Sequence, residues 1–340
     1  MQPREGDLIE TFENIILDVK GLVHPSDKII AFPRFIPNLE GSRKRGSITY
    51  SKVYGLAERF KFLETNFPRY IVYDEAFDEK LCEVPLEDVK KIYSPINRLK
   101  NLRRNRKLDE TEAIALQCLK VLKEKAGVSW RKIGISGSIL VKMHTGTSDI
   151  DPVVYGSENC RKVHSILKEI LEEDETSFKS YDENDLKALF EFRSRDTFMS
   201  FEDFVKVESR KVWQGKFMGR DYFIRFVKDW EEVKEKYGDV KYKNCGYAKI
   251  EAVVIGDSES IFTPCTYKIE NVKVVEGPSF QPIKEIVSFR GRFCEQARKG
   301  ETVIAQGKLE HVTDYRKHTE YFRLLLGNKP SDYMILKVRD

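Results

Sequence analysis

The clearest periodicity in the chain runs from Asp109 to Gly127, where Ile114, Leu116, Cys118, Leu119, Val121 and Leu122 recur at helical spacing. Gly127 supplies the stop. A second helix is predicted from about 158 to 173, with Val163, Ile166, Leu167, Ile170 and Leu171 on one face. Between these two the period changes. Ile133-Gly134-Ile135 is a short apolar run entering Ser136-Gly137-Ser138, and 148–155 reads as a strand stopped by Gly156. Residues 211–228 predict a hairpin turning near Met218-Gly219-Arg220, with Tyr222, Ile224 and Phe226 alternating against Phe223, Arg225 and Val227.

The flanks have a different texture. Leu56, Phe60 and Leu63 predict a helix over 54–63, and 70–73 a strand. The clusters Phe32-Pro33, Ile36-Pro37 and Gly41-Ser42 predict irregular chain, continued by Lys44, Arg45 and Gly46. Residues 85–93 read as a short helix stopped near Ser94-Pro95. The basic cluster from Arg98 to Lys107 then reads as the linker or entry to the next domain. Beyond Lys241, short β-type runs at 248–255, 263–269, 272–275, 283–289, 303–312 and 333–338 predict a small sandwich or barrel. The expected division is an N-terminal α+β region (1–97), an α/β domain (98–240) and a C-terminal β-rich domain (241–340).

Composition narrows the class. The 340 residues carry 59 Lys+Arg against 55 Asp+Glu, a net charge of +4 that permits a polyanionic partner without requiring one. Charged residues at 34% and few Gln suit the ion-pair networks of a hyperthermophile's protein. No run approaches the ~20 apolar residues of a membrane span. The opening Met1-Gln2-Pro3-Arg4-Glu5 lacks a signal-peptide apolar stretch, so a cytoplasmic protein without membrane contact is expected. Six scattered cysteines without a Cys-x-x-Cys pair predict free thiols, not a zinc site.

The chemistry concentrates in Gly134-Ile-Ser-Gly-Ser138 and Ser148-Asp-Ile-Asp-Pro-Val-Val-Tyr-Gly156. A strand entering a Gly-Ser turn presents backbone N–H groups and the Ser138 hydroxyl to phosphate oxygens, and Gly137 lets that backbone approach an anion closely. Asp149 and Asp151, two apart on a strand, leave from one face. Carboxylates so close call for cations between them. Two Mg²⁺ ions, with Mn²⁺ as an alternative, suit hard oxygen ligands shared with substrate phosphates.

A Gly-Ser turn followed by an Asp-x-Asp strand resembles the signature of the DNA polymerase β-type nucleotidyltransferase superfamily; Ser138 and Asp149 stand at a separation common there. The resemblance covers roughly 109–228, and the whole chain is similar to an archaeal group of predicted nucleotidyltransferases. It implies an α/β core with a mixed sheet that moves an NMP from an NTP, ATP first, to a hydroxyl. It also implies a third carboxylate on a neighbouring strand: Asp221 is the first candidate and Glu251 the second. Pro152 departs from the pattern, since proline cannot donate to a ladder and predicts an edge or bulge.

Lys142, His144 and Ser148, within and at the end of the loop between the signature halves, are the remaining nucleotide candidates. Arg98, Arg103, Arg104, Arg106 and Lys107, with Lys216 and Arg220 of the basic hairpin, are candidates for a nucleic-acid backbone. RNA, such as tRNA, is the expected acceptor. Two alternatives stay open: nucleotidylation of a protein or small molecule, and a non-catalytic nucleic-acid-binding protein that keeps the fold.

Overall fold

The computed structural model describes residues 3–173 and 176–337, a mixed α/β chain with several sheets and seven α-helices among those residues. It forms two compact units. The first takes in the chain up to Val72, Cys82–Ser180 and Val212–Lys234; the second takes in Tyr73–Leu81, Tyr181–Lys211 and the chain from Glu235 onward. The boundary expected near 97 therefore falls inside the first unit, because the N-terminal sheet shares a core with the segment that follows. Leu8, Ile16, Phe35 and Tyr50 of that sheet pack with Leu140, Val141 and Met143.

The N-terminal sheet is antiparallel, in the order Arg43–Arg45, Ile48–Lys52, Lys28–Pro37, Ile16–Val19, Leu8–Thr11 and Val89–Tyr93. Two sequence expectations fail here. Phe32-Pro33 and Ile36-Pro37 lie within the ten-residue strand Lys28–Pro37, not in irregular chain. Pro33 is tolerated because the pairing slips there. Ile16 faces Phe35 and Leu17 faces Pro33, leaving Arg34 as the extra residue of a bulge. Residues 85–93, expected as a helix, are a single 3-10 turn (Leu86–Asp88) followed by the strand Val89–Tyr93, which pairs with Leu8–Thr11.

Pro95 starts a helix where the sequence suggested a stop. At the first helical position proline loses no needed hydrogen bond. The helix Pro95–Arg104 buries Leu99 and Leu102, so this part of the basic cluster is ordered helix, not a linker. The helix Glu110–Ala126 follows, capped by the Asp109 carboxylate accepting from the Glu112 N–H. With the helix Ser157–Glu172 it flanks a three-stranded sheet: Arg225–Val227, Pro152–Tyr155, Ile133–Ile135. A hairpin of Gln214–Phe217 and Arg220–Phe223, turning at Met218 and Gly219, completes this part as expected.

In the second unit, Val240–Glu259, Cys265–Glu276, Ile283–Ser288, Thr319–Leu326 and Thr302–Asp314 pair in that order. Thr302–Asp314 pairs back onto Val240–Glu259, which closes the sheet into a small barrel. Tyr333–Leu336 adds to Thr302–Asp314; Val338, the end of the run predicted at 333–338, lies outside the described residues. Lys308, 1% exposed, is paired by Glu79 at 2.7 Å and Glu310 at 3.1 Å. The helices Glu183–Arg193 and Phe201–Glu208 are tied by the buried Arg193–Glu208 pair at 2.6 Å. All six cysteines are free and five are buried. Among the described residues no helix is long and apolar enough to cross a membrane.

Candidate active site

Where the three-stranded sheet meets the hairpin, Ile150 and Tyr222 form a parallel bridge, and both are fully buried. Side chains alternate along a strand, so Asp149, Asp151 and Asp221 leave together from the opposite face. The Ile150 N–H donates to the Asp221 carbonyl at 2.8 Å, and the Phe223 N–H donates to the Ile150 carbonyl at 2.9 Å. The next bond of that ladder would come from residue 152, which as proline has no donor. Pairing lapses there and resumes at Val153 opposite Arg225, while the Ile224 N–H turns to the Trp213 carbonyl at 2.8 Å. Pro152 is thus in the middle strand of three, not at the edge or bulge its sequence suggested. Its missing donor falls in a gap that frees the neighbouring hairpin to carry Asp221.

Gly137 adopts φ +61, and a Cβ built on it would lie 1.8 Å from Asp151 Oδ2 and 2.7 Å from Cγ. Glycine is therefore required twice, for the left-handed backbone and for the space Asp151 occupies. The Ser136 N–H donates to the Asp151 carbonyl at 2.8 Å, and the Ser136 hydroxyl to the Gly6 carbonyl at 2.7 Å. Ser138 is 5% exposed, and its hydroxyl has no hydrogen-bond partner among the described residues.

The charges here are unevenly compensated. Burial pushes the Asp149 carboxyl up to about 6; the Asp151 and Asp221 charges act in the same direction, and Lys52 and Arg34 oppose them. Asp18, buried where Asp149 is half-buried, behaves oppositely. Burial works to raise its carboxyl, but the charges of Lys20, Arg225 and Arg34 outweigh that and hold it far below the ordinary carboxylate range. Lys20 lies 2.7 Å from Asp18, and Arg225 reaches Asp18 at 3.3 Å and Glu5 at 2.9 Å. The acids behind the site have their counter-charges; Asp149 is short of one.

Other predicted residues have different placements. The Ser148 hydroxyl accepts from Arg43 Nη1 and from the Thr145 N–H, both at 2.9 Å, and so holds its own loop together. Lys142 is exposed, with φ +57. His144 Nε2 lies 2.7 Å from Asp109. Arg98 is 8% exposed: its Nε donates to the Ile139 carbonyl at 2.8 Å and its Nη2 to Glu112. It braces helices and offers nothing to a nucleic-acid backbone. Arg103 stacks 4.2 Å over Trp130. Arg104, Arg106 and Lys107 are exposed. Lys216 pairs with Asp221 at 3.4 Å, and Arg220 reaches the Gly146 carbonyl and Glu110. Glu251 belongs to the second unit, where Lys337 pairs with it at 2.9 Å.

Among the described residues, Asp109, Glu112 and His144 are a group of three whose ligand atoms all lie within 4.8 Å, closer than the aspartate trio. Their charges are already in use: Arg98 holds Glu112, and Asp109 caps its helix. Sequence reasoning missed Arg34, Lys52 and Arg43. They are far upstream of the signature and reach it only through the sheet register.

The chain is 34% identical over 336 residues to the uncharacterized protein MJ1086 of the archaeon Methanocaldococcus jannaschii, which covers 96% of both chains. The chain belongs to the MJ1086 family. No family model and no solved structure matches it.

The charge imbalance gives this MJ1086-family member a testable pH signature. Asp149 titrates near 6 in the fold and near its ordinary 3.8 when unfolded. Folding therefore binds a proton at this group. Its stabilising effect is full below about pH 4 and fades as pH rises through 6, an effect of up to roughly 3 kcal/mol. In metal-free buffer, Asp149→Asn should be more stable than wild type at pH 8, with the gap closing toward pH 4 in thermal melts. An equal gap at both pH values would contradict the assignment.

Proposed function

We propose that this protein is a divalent-metal-dependent nucleotidyltransferase that moves a nucleoside monophosphate from an NTP, ATP first, to a hydroxyl acceptor. The observation that carries the reading is the shared face of Asp149, Asp151 and Asp221, with Asp149 driven up by burial and by the other two. Three hard carboxylates on one face, of which only Asp221 has an ion-pair partner among the described residues (Lys216 at 3.4 Å), are the donor set that Mg²⁺ takes, with Mn²⁺ as the alternative. These three side chains would hold the metal. Bound there, it neutralises charge on the transferring phosphoryl group and favours the alkoxide of the acceptor.

The chain's own groups supply the rest. The acceptor hydroxyl attacks the α-phosphorus, the bond to the β-phosphate oxygen breaks, and pyrophosphate leaves. Asp221, with two-fifths of its side chain exposed, is the carboxylate an acceptor can reach and takes the hydroxyl proton. The unpartnered Ser138 hydroxyl donates to a phosphate oxygen, and the Gly137 backbone fixes Asp151 against the strand. Ser148 and Arg98 have structural roles in this reading. Exposed Arg104, Arg106 and Lys107 are the part of the basic cluster left to hold an RNA acceptor.

The test is incubation with α-labelled ATP, Mg²⁺ and total RNA, followed by separation of RNA from protein. Label in RNA supports the reading. Label in protein moves the acceptor to the alternative class, and absence of pyrophosphate with every NTP contradicts transfer altogether.

A further inference from the structure

Two cations of the N-terminal sheet, Lys52 and Arg34, lie on the two strands next in order after Arg43–Arg45, and Arg43 donates to the hydroxyl of Ser148, the residue before Asp149, at 2.9 Å. Arg34 is the extra residue of the bulge between Lys28–Pro37 and Ile16–Val19, a distortion that re-aims a side chain. Lys52 is on the next strand, opposite Phe35, and the Val53 N–H donates to the Arg34 carbonyl at 2.9 Å. Both charges lie 4.8 Å from the centre of the Tyr54 ring, one from each side chain, and Tyr54 is exposed. Apart from that ring, neither cation has a hydrogen bond or ion pair among the described residues. Both act electrostatically on Asp149.

The sheet that carries them is fixed against the site by three independent contacts. Phe35 and Tyr50 share a core with Leu140, Val141 and Met143. The Ser136 hydroxyl donates to the Gly6 carbonyl, and Arg43 donates to the Met143 carbonyl at 3.1 Å and to Ser148. A three-carboxylate face with two half-buried cations that make no ion pair among the described residues, although the Arg34 charge also bears on Asp18, is the charge complement of a metal–polyphosphate: the cation on the acids, the phosphate oxygens on the bases.

We propose that Arg34 and Lys52 bind the polyphosphate chain of the substrate, so that the N-terminal sheet is part of the binding site and not only a brace. This rests on the nucleotidyltransferase reading for the identity of the ligand as an NTP. The chemistry alone specifies a magnesium-bound polyphosphate, and inorganic tripolyphosphate serves as the probe without a base.

The experiment is calorimetric titration of the full chain with magnesium tripolyphosphate and with MgATP, for wild type, Arg34→Gln, Lys52→Gln, the double variant and Lys52→Arg. Each single loss of charge weakens tripolyphosphate about tenfold, the double variant by on the order of a hundredfold, and Lys52→Arg retains most of the affinity. Titration of the same proteins with Mn²⁺ alone separates binding from folding. Removing two nearby cations leaves Mn²⁺ affinity unchanged or tighter, whereas a structural defect weakens both ligands together.

Wild-type affinity for tripolyphosphate in the double variant overturns the proposal. So does parallel loss of Mn²⁺ binding, or no binding by wild type. Charge-dependent binding without transfer from any NTP leaves the pair in place and removes the transferase reading. Undiminished transfer in the double variant does the reverse.

Discussion

Asp149→Ala and Asp151→Ala should each reduce nucleotide transfer by on the order of a thousandfold while the chain stays folded. The two effects should not multiply, because side chains that hold one centre act as a unit: the double variant should be close to either single one. Stability supplies a second readout with the opposite sign. Asp149 is half-buried with its carboxyl raised to about 6, so its removal relieves an electrostatic cost at neutral pH. A variant that melts no earlier than wild type yet has lost transfer separates a chemical role from a structural one. Transfer retained within about tenfold in both variants would remove these carboxylates from the reaction.

Gly137→Ala is expected to have an effect of similar size by a different route. The added Cβ would stand 1.8 Å from Asp151 Oδ2 and 2.7 Å from Cγ, so the carboxylate must leave its position. The φ of +61 adds roughly 1–2 kcal/mol of backbone strain for a residue with a side chain. Metal-dependent stabilisation and transfer should fall to the level of Asp151→Ala. Because the clash is with one short side chain, Asp151→Ala in the Gly137→Ala background should recover stability without recovering transfer. That non-additivity marks direct contact. If Gly137→Ala transferred nucleotide normally, the close approach of this backbone to Asp151 would have no functional meaning.

The parts of the site legible in the sequence were those set by local spacing. Gly137 and Ser138 follow a short apolar run, and Asp149 and Asp151 are two apart; strand alternation alone puts the pair on one face. Asp221 was accessible for the same reason, since the alternation of Tyr222, Ile224 and Phe226 fixes the opposite face of its hairpin. Neighbouring-strand relations were not accessible. Whether Asp149 lies beside Asp221 depends on the Ile150–Tyr222 register. Arg34 reaches the site from a bulged pairing and Lys52 from the strand beside it, both far upstream in the chain.

The misreadings have physical causes as well. Pro33 punctuates a strand that continues because a bulge absorbs its missing donor, and Pro37 is that strand's last residue. Pro95 resembles a helix stop but occupies the helix position where proline is tolerated. In the basic cluster, one turn of helix decides which arginine is solvated. Arg98 shares the inward side of Pro95–Arg104 with Leu99 and Leu102, so a charge the sequence assigns to a surface contact is buried. The closed barrel was legible as a set of β-type runs with turn residues between them, whereas closure depends on the long Val240–Glu259 strand pairing at both its edges.

The central claim is that Asp149, Asp151 and Asp221 together hold a divalent cation. Its most direct test is the anomalous scattering of Mn²⁺ in crystals of the protein grown with a non-hydrolysable NTP analogue. The account predicts a manganese peak coordinated by all three carboxylates, with the analogue's phosphates beside it. A peak at Asp109, Glu112 and His144 alone, or none at the three aspartates under saturating manganese, would contradict it.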